Sequence, residues 1–226
     1  MAKALAFLLM GTVIVLAKSP VPGMVKTRLG PPCTPLEAAR IAEASLVDTL
    51  AAVAASSAVR RVLVLDGPTG PWLDSTLGFE VTTQRTGGLD RRLADAFDDV
   101  LGVEPSNPSE ACVLIAMDTP HVLSHQVDGA IAVLHTADAV LGLADDGGYW
   151  LVGLRRPDRE AFEGVPMSTD RTGAQQLSRL QARYATVAMI EPMRDIDACA
   201  DLDWLCESHP HLRTSQAWQA IRAAHG

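Results

Sequence analysis

Three cations stand on one short loop. Lys18, Lys26 and Arg28 lie in Ala17-Lys18-Ser19-Pro20-Val21-Pro22-Gly23-Met24-Val25-Lys26-Thr27-Arg28-Leu29. Pro20 and Pro22 fix their own φ and push the residues before them out of the helical region, so the loop is stiff. It follows Val13 to Ala17, an aliphatic run that reads as a fully buried strand. A stiff cationic loop at the carboxyl end of a buried parallel strand is placed to bind phosphates. The matching carboxylates lie far along the chain. Asp118 directly follows the apolar run Ala111 to Met117, and Asp195-Ile196-Asp197 is an Asp-x-Asp that, if extended, puts both side chains on one face. Carboxylates facing a cationic loop suit a divalent metal and a diphosphate, because Mg²⁺ binds through few carboxylates plus phosphate oxygens and water.

Each carboxylate has a plainer role to weigh. Asp118-Thr119-Pro120 is a good turn former, and Asp197 could cap a helix that begins at Ala198. Without a cation, Asp118 and Asp197 would repel each other, so losing either charge should leave the metal-free protein as stable or slightly more so. Asp145-Asp146-Gly147-Gly148 has the composition of a tight turn, yet two carboxylates at a sheet end could also hold a sugar hydroxyl or an acceptor. His121 and His125 are spaced i, i+4 without a third soft ligand nearby, and zinc is not expected. No GxSxG, HExxH or phosphate-loop motif is present, and the lack of GxGxxG after the first strand argues against a dinucleotide oxidoreductase.

The elements that must position these groups alternate between strand and helix. Thr34-Pro35-Leu36-Glu37 is a capping box with proline at the first helical position, opening a helix to about Ala55. Strands are expected at Arg61–Asp66, Phe79–Gln84, Ala111–Met117, Asp138–Leu143, Tyr149–Leu154 (hairpin-like after the Asp145–Gly148 turn) and Tyr184–Ile190. Helices are expected near Leu89–Leu101, Ser124–His135 with Ser124 as cap, Thr172–Ala182, Ala198–Glu207 and Ser215–Ala223. This alternation predicts one α/β domain over residues 1–226, with a mostly parallel central sheet and helices on both faces. Residues 102–110 read as a polar loop.

Composition narrows the partners. The chain has 226 residues, 48% hydrophobic, with a net charge of −8. An acidic protein is a poor nonspecific partner for nucleic acid or anionic membranes, and a small anionic ligand suits the cationic loop better. Cys33, Cys112, Cys199 and Cys206 show no CxxC spacing, which fits reduced thiols in a cytoplasmic protein. The apolar stretch Ala4 to Ala17 could imitate a secretory signal. The strand reading is preferred, because cleavage would remove the element that carries the cationic loop. Residues 1–10 are expected to be a short extension, with Met10 an alternative start, and no apolar run beyond this stretch is long enough to span a bilayer.

Ala17 to Leu29 resembles the opening of the DUF2064 family of GT-A-type, glycosyltransferase-like proteins. Met117-Asp118-Thr119-Pro120, Asp146-Gly147-Gly148-Tyr149-Trp150-Leu151, Gly164-Val165-Pro166-Met167-Ser168-Thr169 and Asp195-Ile196-Asp197 follow in the family's order. The family often has Asp-Leu-Gly-Glu-Arg where this chain has Gly88 to Arg92, and Trp at the Met167 position. The resemblance spans roughly residues 12 to 205 and implies a single GT-A-like (Rossmann-like) domain of the nucleotide-diphospho-sugar transferase type. It implies that Ala17, Lys18, Gly23, Lys26 and Arg28 bind phosphate, and that Gly88 and Leu89 lie near the nucleoside. It further implies that Asp118 and Asp197 hold Mg²⁺ or Mn²⁺, and that Ser168 and Thr169 lie with Asp145, Asp146 and Gly147 near the sugar or acceptor. Lys26, Arg28 and Asp118 would then be catalytic. The expected activity is a metal-dependent transferase, with a nucleotide sugar as donor and a small-molecule acceptor. The alternatives are a guanylyl- or cytidylyltransferase-like enzyme that consumes a nucleoside triphosphate and releases pyrophosphate, or a non-catalytic nucleotide-binding protein.

Overall fold

The computed structural model describes residues 11–102 and 111–225. The expected extension at residues 1–10, the alternative start at Met10 and most of the polar loop at residues 102–110 lie outside them. The first strand, β1 (Gly11–Lys18), leads through the cationic loop to helix α1 (Pro35–Ala54). There Thr34 and Glu37 form the expected capping box. Next come β2 (Arg60–Asp66), a 3-10 segment at Pro71–Thr76, β3 (Glu80–Thr83) and α2 (Leu89–Leu101). The chain continues with β4 (Ala111–Ala116), α3 (Ser124–Val133), β5 (Ala139–Ala144), β6 (Tyr149–Leu154) and α4 (Thr172–Arg183). It closes with β7 (Val187–Met193), α5 (Cys199–Ser208) and α6 (Arg213–His225).

The strands form one seven-stranded sheet in the order β3-β2-β1-β4-β6-β5-β7. β1 is central and parallel to both neighbours, with Val13 opposite Arg61 on β2 and Val113 on β4. β6 runs antiparallel to β4 and β5, as its hairpin turn requires. Alternation divides the aliphatic strands between two cores. Val13, Val15, Leu63, Val113 and Ile115 pack with Leu46 and Leu50 of α1 and Ile131 of α3. Ile14, Val62, Val64, Leu114 and Val152 face Leu93 and Phe97 of α2 and Leu180 of α4. Because both faces are covered, β1 and β4 read as continuous apolar runs.

A third core lies beyond the sheet's end. Leu29 of the cationic loop packs with Ile41 of α1, Ile196, Leu202 and Leu205 of the α5 region, and Trp218 and Ile221 of α6. Helix α6 is tied to α1 through Asp48, whose carboxylate accepts from the Arg213 and Thr214 backbone N–H groups and the Thr214 hydroxyl. Burial of an aliphatic side chain such as Ile196 contributes about 1.5–3 kcal/mol. This third core therefore fixes both the cationic loop and the Asp195-Ile196-Asp197 segment, whose middle residue it buries.

The sequence misplaces one strand. The last one lies at Val187–Met193 rather than at Tyr184–Ile190. Tyr184 instead ends α4, and its hydroxyl donates to Asp158 at 2.8 Å. Pro192 is tolerated inside β7 because this strand pairs with β5 alone, at the sheet edge. Ser124 is the first residue of α3 and not its cap; the Gln126 side chain accepts the Leu123 N–H instead. Among the described residues no disulfide joins the four cysteines. Among the described residues, no helix is long and apolar enough to cross a membrane.

Candidate active site

The parallel strands β1 and β4 end at the same edge of the sheet, and a cleft of about 430 Å³ opens there. Leu16 of β1, Leu114 of β4, and Leu89 and Leu93 of α2 form an apolar wall, with Tyr149, Trp150 and Met167 also lining the space. The polar lining is strongly acidic: Asp118, Asp146, Asp170, Asp195 and Asp197 share it with Arg28 and the hydroxyl-bearing residues Thr119, Ser168, Thr169 and Thr172. Of the residues expected to bind ligand, Arg28, Leu89, Asp118, Asp146, Asp197, Ser168 and Thr169 line this cleft. Ala17, Lys18, Gly23, Lys26, Gly88, Asp145 and Gly147 do not.

Lys26 is nevertheless at the centre of the site. Its ammonium lies 2.5 Å from Asp118 Oδ1 and 3.1 Å from Asp197 Oδ1, and it donates to the Ile196 carbonyl. The side chain is only 4% exposed. Burial works against its charge, but Asp118 and Asp197 outweigh it and hold the pKa above the ordinary lysine value. Arg28, by contrast, is 71% exposed and meets the other oxygen of Asp197 at 2.8 Å. The Ile196 N–H donates to the Asp118 carbonyl at 2.9 Å, so the strand-end aspartate and the Asp-x-Asp segment are bonded directly to each other.

The two plainer readings can now be judged. Asp197 does not cap α5; Asp201 does, accepting from the Asp197 and Ala198 N–H groups. The Asp197 carboxylate is thus left for the two cations. Asp118 likewise turns its carboxylate to Lys26. The expectation that these carboxylates repel each other in the metal-free protein is overturned, because a buried ammonium stands between them. Asp195 makes no ion pair among the described residues, and the Lys26 charge only partly offsets what acts on it. Burial, then Asp146 and Asp197, push its carboxyl up to about 6.

The Asp145–Gly148 turn serves the site mostly through its backbone. Asp146 accepts the Gly148 N–H at 2.7 Å, and Gly147 has φ of 90°. A Cβ on Gly147 would lie 2.1 Å from the Asp170 carbonyl oxygen, so only glycine lets the β5–β6 turn touch the Ser168–Asp170 loop. Ser168 itself is left-handed, with φ of 60°, at the rim of the cleft. The sequence reading passed over Thr119, whose hydroxyl is buried without a partner. Its signal was its place directly after the strand-end aspartate.

Asp118 and Asp197 are hard oxygen donors that converge on one cation, which suits Mg²⁺ or Mn²⁺. Among the described residues no three His, Cys, Asp or Glu side chains form a metal cage by themselves. Mg²⁺ does not need one, since one or two carboxylates plus phosphate oxygens and water complete its shell.

Strand order, the antiparallel β6 and a cleft beyond the carboxyl ends of β1 and β4 define the nucleotide-diphospho-sugar transferase fold. A solved structure from Desulfovibrio desulfuricans G20, described as a candidate nucleotide-diphospho-sugar transferase, superposes with a TM-score of 0.81 at 22% identity, over 94% of this chain and 95% of its own. A 4-diphosphocytidyl-2C-methyl-D-erythritol synthase from Anaerococcus prevotii shares the fold at a TM-score of 0.53 and 10% identity, over 89% of this chain and 99% of its own. The chain belongs to the family DUF2064, described as uncharacterized protein conserved in bacteria, whose profile matches residues 49–169. That span includes Asp118 and the Asp145–Gly148 turn, while the cationic loop and Asp197 lie outside it. Over 180 residues the chain is 34% identical to a 3-phospho-D-glycerate guanylyltransferase from Phenylobacterium zucineum, covering 74% of this chain and 75% of the relative.

Proposed function

We propose that this chain is a nucleotidyltransferase. It takes a nucleoside triphosphate, joins the nucleoside monophosphate to an oxygen of a small phosphate-bearing acceptor, and releases pyrophosphate. Convergence of Asp118 and Asp197 on one cation, beside a cleft that also holds Arg28, carries the transferase reading. The 34% identity to a guanylyltransferase supports nucleotidyl over glycosyl transfer, and makes a guanine nucleotide the first donor to test.

In this reading an acceptor phosphate oxygen forms a new bond to the α-phosphorus. The bond from that phosphorus to the α–β bridging oxygen breaks, and pyrophosphate carries away the electron pair. Asp118 and Asp197 hold Mg²⁺ or Mn²⁺, which when bound supplies Lewis-acid neutralisation of charge on the phosphates. Arg28, exposed and on a stiff loop, stabilises the charge that builds on the leaving group. The apolar wall of Leu16, Leu89, Leu93 and Leu114 keeps water from competing with the acceptor. Ser168 and Thr169 place hydroxyls where an acceptor can be oriented.

The test is product analysis. The protein is incubated with Mn²⁺, each of the common nucleoside triphosphates and a panel of small phospho-acids, and pyrophosphate is measured. Acceptor-dependent pyrophosphate release is expected. Nucleoside diphosphate released from a nucleotide sugar, with no pyrophosphate from any triphosphate, would replace this reading with glycosyl transfer. Tight nucleotide binding without any turnover would make the chain a nucleotide-binding protein.

A further inference from the structure

Unlike Arg28, Lys26 does not line the cleft. Its ammonium is enclosed by three oxygens, from Asp118, Asp197 and the Ile196 carbonyl, and almost no solvent reaches it. Its backbone is left-handed, with φ of 46° and ψ of 38°, a region that a lysine enters only when its surroundings hold it there. The anchor is the side chain itself, since no side-chain hydrogen bond caps the 3-10 turn that begins after it. The two carboxylates that hold the ammonium come from segments about eighty residues apart, at the end of β4 and beyond β7. A single positive charge thus sits where two hard anionic donors converge.

We propose that Lys26 is the resident cation of this site. Its ammonium occupies the position between Asp118 and Asp197 that a divalent metal takes, so lysine and metal exclude each other. Metal arrival frees Lys26, whose loop then relaxes from its left-handed turn and presents the ammonium to the triphosphate. This rests on the metal reading given above, and it assigns Lys26 two successive roles. In the metal-free protein it is a positioning residue that keeps the carboxylates together. In the loaded protein it is a phosphate ligand. Arg28 differs, because it is exposed and pairs with Asp197.

The consequence is a pair of effects of opposite sign. Removing the charge at Lys26 should tighten binding of the metal alone while weakening binding of the nucleotide. A purely structural lysine would weaken both, and a simple phosphate ligand would leave the metal untouched. The test is a Mn²⁺ titration of wild type and Lys26→Met without nucleotide, with free Mn²⁺ followed by electron paramagnetic resonance. Lys26→Met should bind Mn²⁺ about tenfold more tightly, the effect of removing one competing unit charge from a partly desolvated site. Calorimetry with nucleoside triphosphate in saturating Mn²⁺ should show the reverse order of affinity. Without metal, Lys26→Met should melt below wild type, because two carboxylates lose their cation, and Mn²⁺ should raise its melting temperature by more than it raises that of wild type. If Lys26→Met is too unstable to titrate, Lys26→Gln, which keeps a hydrogen-bond donor, takes its place. Equal Mn²⁺ affinity in wild type and both variants would overturn the resident-cation role and leave the metal site standing. Absence of Mn²⁺ binding in all of them would overturn the metal site and this inference together.

Discussion

Lys26 and Arg159 each gather carboxylates around one positive charge, but in opposite surroundings. Lys26 is enclosed, 4% exposed, and its partners are drawn from two distant segments at the end of the sheet. Arg159 is 40% exposed and lies 2.7 Å from Asp95, 2.6 Å from Asp98 and 2.7 Å from Glu163, the last one helical turn away. Hydrogen bonds to Asp98, then Asp95 and Glu163, raise the Arg159 pKa, and little burial opposes them. For Lys26 burial is the leading influence and acts against the charge, and the two aspartates together outweigh it. One arrangement decorates the surface. The other encloses a cation between two carboxylates at the edge of the cleft.

The sharpest way to break that contrast is to neutralise the carboxylates around Lys26. Asp118→Asn and Asp197→Asn should each weaken Mn²⁺-dependent nucleotide binding on the order of a hundredfold or more, measured by calorimetry. Stability should move as well. Each variant leaves the Lys26 ammonium with one carboxylate instead of two, so the metal-free protein should lose about 1–2 kcal/mol, read from urea unfolding. This reverses the expectation drawn from sequence, where two facing carboxylates were taken to repel. Intact metal-dependent binding in both variants would reduce the site to a structural ion pair like that of Arg159.

How much of this was legible in the chain follows from the range of the forces involved. The capping box at Thr34, the helix Leu89–Leu101 and the hairpin turn before Tyr149 are local, and each was read at or near its observed place. The convergence of Asp118 and Asp197 on one edge followed from strand polarity, which alternation of elements reveals. The pairing of Lys26 with both did not. It depends on a loop that folds back over the sheet end because Leu29 and Ile196 share a core, and nothing local to Lys26 announces that. Nor could sequence show that Asp201 relieves Asp197 of capping duty, since either carboxylate suits the start of α5.

Asp195 sharpens the comparison from the other side, as a carboxylate at the same edge without a cation of its own. Its carboxyl is pushed up to about 6, against roughly 3.9 in an unfolded chain. The folded protein therefore binds this proton more tightly than the unfolded one. The stability it contributes is fully present below about pH 4 and is lost as pH rises through about 6. In metal-free, chelator-containing buffer, Asp195→Asn should melt with wild type near pH 4 and above it at pH 7.5. The gain should be about 1 kcal/mol once solvent screening of this half-buried group is allowed for. A gain that is the same at both pH values would mean that packing, not charge, limits Asp195.

Arg159 supplies the smallest effect and the control for the whole comparison. Its three partners are on α2 and on its own turn, and neither it nor any of them lines the cleft. Arg159 itself is 40% exposed, and ion pairs that water and salt reach contribute about 0–1 kcal/mol, because water solvates the separated charges nearly as well and salt screens the attraction. Arg159→Ala should therefore cost no more than about 1 kcal/mol in urea unfolding, and less in high salt. Mn²⁺ and nucleotide affinities should stay at their wild-type values. Removing Arg159 leaves Asp95 and Asp98 away from the cleft, whereas removing Lys26 takes away the ammonium that lies between Asp118 and Asp197 at its edge. Should Arg159→Ala instead shift metal affinity as Lys26→Met does, the field of the whole acidic protein, and not the enclosed contact at Lys26, would be what governs metal binding.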